Sequence, residues 1–267
     1  MNNVLYLVAG ICLIAVIYLG YKFIKSPVWK QRQLQKASKM AAEGKVKEMI
    51  AFLEANRDKK SVLCPLTNAL VFYFIRSGDT EKAEKVVTSA IDAGDDSGTA
   101  LAQMAYISQE KGENEIAEKY YKEAMEKDPK LAGTMKVNLA ALYINMNDRL
   151  DEAEVLLEEA LEQREGAGRS GVYLNIAMLQ MKRKDYSRAR VSAMTSAELL
   201  PNTPITRMGK AQALGLAARC SVKMKDLSEG KRLASKALKV LDDQPGTDKL
   251  REELLLITGE KKKKRTQ

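Results

Sequence analysis

The segment GAGRSG, residues 166–171, carries the GxGxxG spacing with which a glycine-rich turn brings a pyrophosphate to the N-terminus of a helix. That chemistry requires a strand to deliver the glycines, and the residues before Gly166 read as a helix. The segment is therefore expected to be a loop between helices, with Ser170 capping the helix that follows. A second cluster, DAGDDSG at residues 92–98, gathers Asp92, Asp95 and Asp96, the hard oxygen donors that a divalent cation prefers. It lacks the alternating ligands and closing glutamate of a calcium loop, so it reads as a solvated turn with a helix cap. The chain has no histidine, which removes the usual general base near neutral pH and the commonest transition-metal ligand. Its three cysteines, Cys12, Cys64 and Cys220, form no CxxC pair and suggest neither a disulfide framework nor a zinc site. No nucleophile and base stand together, so we expect no catalytic residue, no metal, no cofactor and no enzyme.

The elements that hold these residues are expected to be helices. Leu, Ala, Glu, Lys and Met dominate, aromatic residues are only 6%, and the six prolines are widely spaced. One element stands apart: VLYLVAGICLIAVIYLGY, residues 4–21, runs for 18 residues without a charge. As a helix, with Phe23 and Ile24 added, it covers roughly 27–31 Å, the thickness of a bilayer's hydrocarbon core. Six cations (Lys22, Lys25, Lys30, Arg32, Lys36 and Lys39) follow Tyr21 within 18 positions, whereas only MNN precedes the run. Positive charge favours the cytoplasmic side, so a transmembrane anchor with the rest of the chain in the cytoplasm is expected. Tyr18, Tyr21 and Trp29 suit an interfacial belt, and Pro27 ends or kinks the span.

The net charge of +9 is unevenly spread. Residues 110–165 carry 15 acidic against 8 basic residues, leaving +16 for the remainder, much of it near the two ends. The acidic helices over 113–128 and 151–165 read as solvated outer faces. The cations over Lys22–Lys39 and Lys261–Arg265 suit contact with anionic lipid. No groove-reading or base-stacking motif is present, so nucleic acid is the least favoured partner.

Beyond the anchor the chain repeats itself. SGDTEKAE at residues 77–84 returns as KGENEIAE at 111–118, and Gly44, Gly78 and Gly112 are spaced by 34 residues, as are Ala83 and Ala117, and Ala90 and Ala124. An apolar stretch, a glycine turn and a second stretch with small residues every three or four positions describe a helical hairpin. In MAYISQEKGENEIAEKYYKEAMEKDP, the residues Ala105, Gly112, Ala117, Tyr121, Ala124 and Pro129 follow the small, turn, small, aromatic, small, proline order of the tetratricopeptide repeat family, which this region resembles. Later units supply Ala140, Tyr143, Ala153 and Ala160; Ala177, Ala189, Ser196 and Pro201; and, after an insertion around Pro204, Ala218, Gly230 and Ala237. The first unit, with Ala37, Gly44 and Met49, is degenerate, and the second has Val71 where a small residue is usual.

The resemblance implies an all-α fold: a right-handed superhelical solenoid of about six helix-turn-helix repeats, preceded by one N-terminal transmembrane helix. The expected organisation is an anchor over residues 1–25, a basic segment and degenerate first repeat over 26–63, the repeat array over 64–244, a capping helix over 245–260 and a basic tail over 261–267. In this family the first helix of each pair lines a concave groove that receives peptides or helices. The positions carried over to it are Asn68, Phe72, Tyr106, Gln109, Asn138, Asn175, Met178, Met181 and Arg219. Asn138 and Asn175 share one repeat position, where a side-chain amide can both donate to and accept from a peptide backbone. The methionines offer an adaptable apolar patch or simply pack between helices. The Lys and Asn set with which the family clamps a C-terminal carboxylate is not intact here. The expected function is a membrane-anchored scaffold that recruits other proteins from the cytoplasmic side. The alternative is a chaperone or assembly factor of inverted, periplasmic-facing topology.

Overall fold

The computed structural model describes residues 26–203, 206–241 and 247–260. The apolar run, the cations Lys22 and Lys25, and the tail over 261–267 lie outside these. Among the described residues there is no strand, and no helix is long and apolar enough to cross a membrane. The chain divides into two compact units, Met1–Glu113 and Asn114–Gln267. In the first, α1 (Pro27–Ala42) pairs with α2 (Val46–Asn56), and α3 (Pro65–Arg76) pairs with α4 (Thr80–Asp92), followed by α5 (Gly98–Lys111). The second opens with α6 (Asn114–Lys127). The pairs α7 (Ala132–Met146) with α8 (Leu150–Glu162), α9 (Ser170–Lys182) with α10 (Tyr186–Leu199), and α11 (Arg207–Lys223) with α12 (Leu227–Leu241) follow, and α13 (Asp248–Thr258) ends the unit.

The turns explain the 34-residue glycine spacing. Gly78 is left-handed at φ 80°, its N–H donating to the Ile75 carbonyl at 3.0 Å, and the Asp79 N–H donates to the Phe74 carbonyl at 2.9 Å. These bonds satisfy the carbonyls that a helix end leaves open, and glycine adopts the geometry without a Cβ penalty. Gly44 and Gly112 hold the same conformation at φ 74° and 80°. The second unit builds the same turn without glycine: Asn147, Lys184 and Lys225 stand at φ 56°, 62° and 64°. After the turn, Asp79, Asp185 and Asp226 cap the second helix by accepting from the N–H groups of Lys82, Arg188 and Glu229.

Small residues fall where helices cross. Ala83 and Ala90 on α4, Ala153 and Ala160 on α8, Ala189 and Ser196 on α10, and Gly230 and Ala237 on α12 are all buried. At Gly230 an added Cβ would lie only 2.9 Å from Val222 Cγ2 on α11, so this crossing tolerates no side chain without movement. Along the first helices Val71, Ala105, Ala140, Ala177 and Ala218 are buried as well, and even the degenerate first pair buries Ala37, Met49 and Leu53. Helix α13 closes the second unit: Leu254 is fully buried, and a Cβ at Gly215 would meet Leu254 and Leu250 at 3.3 and 3.5 Å.

Candidate partner-binding site

Within the first unit, Asn68 and Phe72 lie one helical turn apart on α3 and both are exposed, Phe72 at 56%. With Leu34 of α1, Leu63, Pro65 and Ala69 they line a trough of about 420 Å³. A second hollow of about 260 Å³ shares Leu34 and Pro65 and continues along α1 through Gln31 and Lys30 to Pro27. The floor is built by sequence at hand: Pro65 starts α3 at the position where a missing N–H costs nothing, and Leu63, at 62% exposure, lies just before it. Tyr106 and Gln109 are half-buried on α5.

The second unit places the remaining expected residues differently. Asn138 on α7 and Asn175 on α9 are half-buried. Met178 and Met181 are also half-buried, and they pack against the cluster formed by Ala177, Ala193, Leu214 and their neighbours. Their thioethers fill space between helices. Arg219 is exposed, but its guanidinium donates to Glu253 on α13 at 2.7 Å, which ties the closing helix to α11.

The strongest electrostatic feature is one that repeat spacing gave no reason to expect. Glu118 on α6 accepts from Arg149 at 2.6 and 3.0 Å, from Tyr143 Oη at 2.9 Å and from Lys122 Nζ at 2.7 Å. The Arg149 hydrogen bonds are the largest cause of a carboxyl pKa pulled down to about 2, against the opposing effect of burial. Burial and the adjacent carboxylate hold the Tyr143 phenol above its ordinary range. Arg149 also lies 3.9 Å from the Tyr143 ring and keeps a left-handed backbone at φ 47°. This network joins α6, α7 and the turn into α8; it is a structural lock.

Two expectations from the chemistry-bearing segments are corrected. The Asp92–Asp96 turn is not wholly solvated: Asp92 and Asp96 are exposed, but Asp95 is only 8% exposed and accepts from the N–H groups of Val62 at 2.7 Å and Ser97 at 3.1 Å. Burial opposes ionisation of Asp95, yet hydrogen bonds from Ser97 and Val62 outweigh it and hold the carboxyl below its ordinary range. Ser97 supplies the cap, accepting from Ala100 N–H at 3.2 Å. In GAGRSG, residues Gly166–Arg169 form a 3-10 turn after α8, and Ser170 does not cap α9. Its hydroxyl is buried and donates to the Ser196 carbonyl on α10 at 3.1 Å, because the repeat brings small residues together there.

Leu34, Leu63 and Pro65 line the trough beyond the positions that the repeat register leads one to expect. Leu63 precedes its helix and so carries no helical periodicity, whereas the proline at the start of an apolar run was a usable signal.

No protein-family profile matches the chain, and no curated protein matches it. Solved structures do. BtubC (BKLC) from P. vanneervenii superposes with a TM-score of 0.54 at 18% identity, covering 82% of this chain and 91% of that one. PilW, a type IV pilus biogenesis factor, gives 0.56 at 16% identity, covering 73% and 85%. A chain of the APC/C hetero-tetramer Cut9-Hcn1 gives 0.60 at 13% identity, covering 90% of this chain and 46% of that one. At such identities the superpositions show the fold alone, that of a protein built from helical hairpins in series. With its 34-residue period, left-handed turns and buried small residues, the fold is the tetratricopeptide repeat.

Proposed function

We propose that the chain is a membrane-anchored scaffold whose repeat units recruit other polypeptides and perform no catalysis of their own. What carries the reading is the surface left by the first helices. Packing consumes the small residues of each pair, while Asn68 and Phe72 in the first unit and Asn138 and Asn175 in the second retain accessible surface. An amide held this way can pair with both groups of a partner's backbone without demanding a particular sequence. The uncharged run over 4–21 is the anchor in this reading, with the cations after it on the cytoplasmic side and anionic lipid against Lys22–Lys39 and Lys261–Arg265.

Two measurements test it. In right-side-out membranes the C-terminal region is expected to resist external protease; its digestion from outside would establish the inverted, periplasmic-facing topology instead. The paired change Asn138→Ala with Asn175→Ala is expected to keep the helical circular dichroism and lower the yield of partners crosslinked in intact membranes. Equal yields would remove these two residues from the binding surface.

A further inference from the structure

The helices of this protein sort charge by their place in the repeat. Helices α1, α3, α7, α9 and α11 contain no Asp or Glu, and the single acidic residue of α5, Glu110, stands beside Lys111. Every second helix from α2 to α12 contains at least one acid, and α8 contains six. Solubility alone is served by mixing both signs over the surface, so it does not account for first helices without carboxylates. In the first unit this bias meets an open apolar trough. Helix α1 carries four cations: Lys36 lies 4.9 Å over the Phe52 ring and Lys39 is 4.0 Å from Glu43, but Lys30 and Arg32 have no carboxylate partner among the described residues. Lys30 lines the hollow that shares Leu34 and Pro65 with the trough.

We propose that the trough between α1 and α3 binds an acidic, apolar peptide segment, with apolar side chains seated on Leu34, Leu63 and Phe72 and a flanking carboxylate met by Lys30. The inference rests on the scaffold reading and specifies the partner's chemistry. Asn68 decides between a peptide and a lipid surface. Its amide sits among the lining residues, where acyl chains would strip its water without replacement, whereas a peptide backbone supplies both a donor and an acceptor. Charge complementarity of this kind sets partner choice and encounter rate, and the apolar contact sets residence time.

The test is selection of a random dodecapeptide library on the full chain held in nanodiscs of zwitterionic lipid. Enriched sequences are expected to combine apolar residues with two or more Asp or Glu. A resynthesised winner is expected to bind about ten-fold more weakly to Phe72→Ser and about five-fold more weakly to Lys30→Glu, with loss of affinity as salt is raised. Phe72 is exposed and Lys30 half-buried, and unchanged circular dichroism confirms that the variants fold. Basic or unbiased winners, or equal binding to both variants, overturn the proposal. Displacement of the peptide by phosphatidylglycerol vesicles also overturns it, assigning the surface to lipid. Winners that survive both trough variants but are lost with Asn138→Ala and Asn175→Ala overturn the trough and leave the scaffold reading standing; no enrichment at all overturns both.

Discussion

The two units begin from the same repeat grammar and finish it in opposite ways. In the second unit, α13 covers α11: Leu254 is fully buried over Gly215, and Arg219 spends its charge on Glu253. In the first unit the trough between α1 and α3 stays open, with Phe72 and Leu63 more than half exposed and Lys30 without a carboxylate partner among the described residues. Repeat arrays need a polar or covered end because a lone hairpin cannot bury both faces. The capped end of the second unit is therefore a surface used for stability, whereas the trough of the first unit leaves apolar side chains open to solvent. The largest expected effect tests the closed end. Leu254→Ala should cost about 2–4 kcal/mol in urea unfolding, since it removes a buried side chain beside a glycine that cannot fill the gap. Leu256→Ala, two residues along the same helix but 84% exposed, should stay within about 0.5 kcal/mol. Similar losses from both would mean that α13 is not a cap.

A second contrast separates the electrostatics of the two units. The Lys111–Glu84 pair of the first unit, at 2.6 Å, joins a carboxylate that is 37% exposed, and such pairs contribute little. Glu118 in the second unit is 15% exposed and accepts from three side chains. Its carboxyl pKa is depressed to about 2 in the folded chain, so the stabilisation it supplies is complete above the unfolded value of 4.5 and is lost as pH falls toward 2. The ceiling on that contribution is roughly 3 kcal/mol. Glu118→Gln should lower stability at neutral pH by about 1–3 kcal/mol and flatten the acid limb of the stability profile, whereas Glu84→Gln should leave both nearly unchanged. An unaltered acid limb in Glu118→Gln would show that the lock carries no weight.

How far the sequence could be read follows the same division. Gly44, Gly78 and Gly112 announced the hairpins because a left-handed turn prefers glycine so strongly that its spacing becomes visible. Lys184 and Lys225 occupy that conformation in the second unit with nothing in their type to reveal it, and the turns there are legible only through flanking alanines. The pairing of Arg219 with Glu253 was hidden because a charge at a first-helix position looks alike whether it faces a partner or a cap. Asp95 was hidden for the converse reason: its partners are backbone N–H groups, which have no sequence signature. The two kinds of turn suggest a paired experiment. Gly78→Ala should destabilise by about 1 kcal/mol through backbone strain alone, since no atom lies within 4 Å of the added Cβ. Lys184→Gly should stabilise by up to about 1 kcal/mol, because the strain relieved exceeds the entropy gained by the unfolded chain. Thermal melts that move both variants in the same direction would contradict the left-handed assignment.

The smallest expected stability effect bears most directly on function. Phe72→Ser removes a ring that is 56% exposed on the trough, so unfolding should shift by no more than about 0.5 kcal/mol. Met178→Ser removes a half-buried side chain packed on the core of the second unit and should cost about 1–2 kcal/mol. If Phe72→Ser proves as costly as Met178→Ser, the ring is part of the first unit's own packing, and the open surface that distinguishes this unit from the capped one disappears.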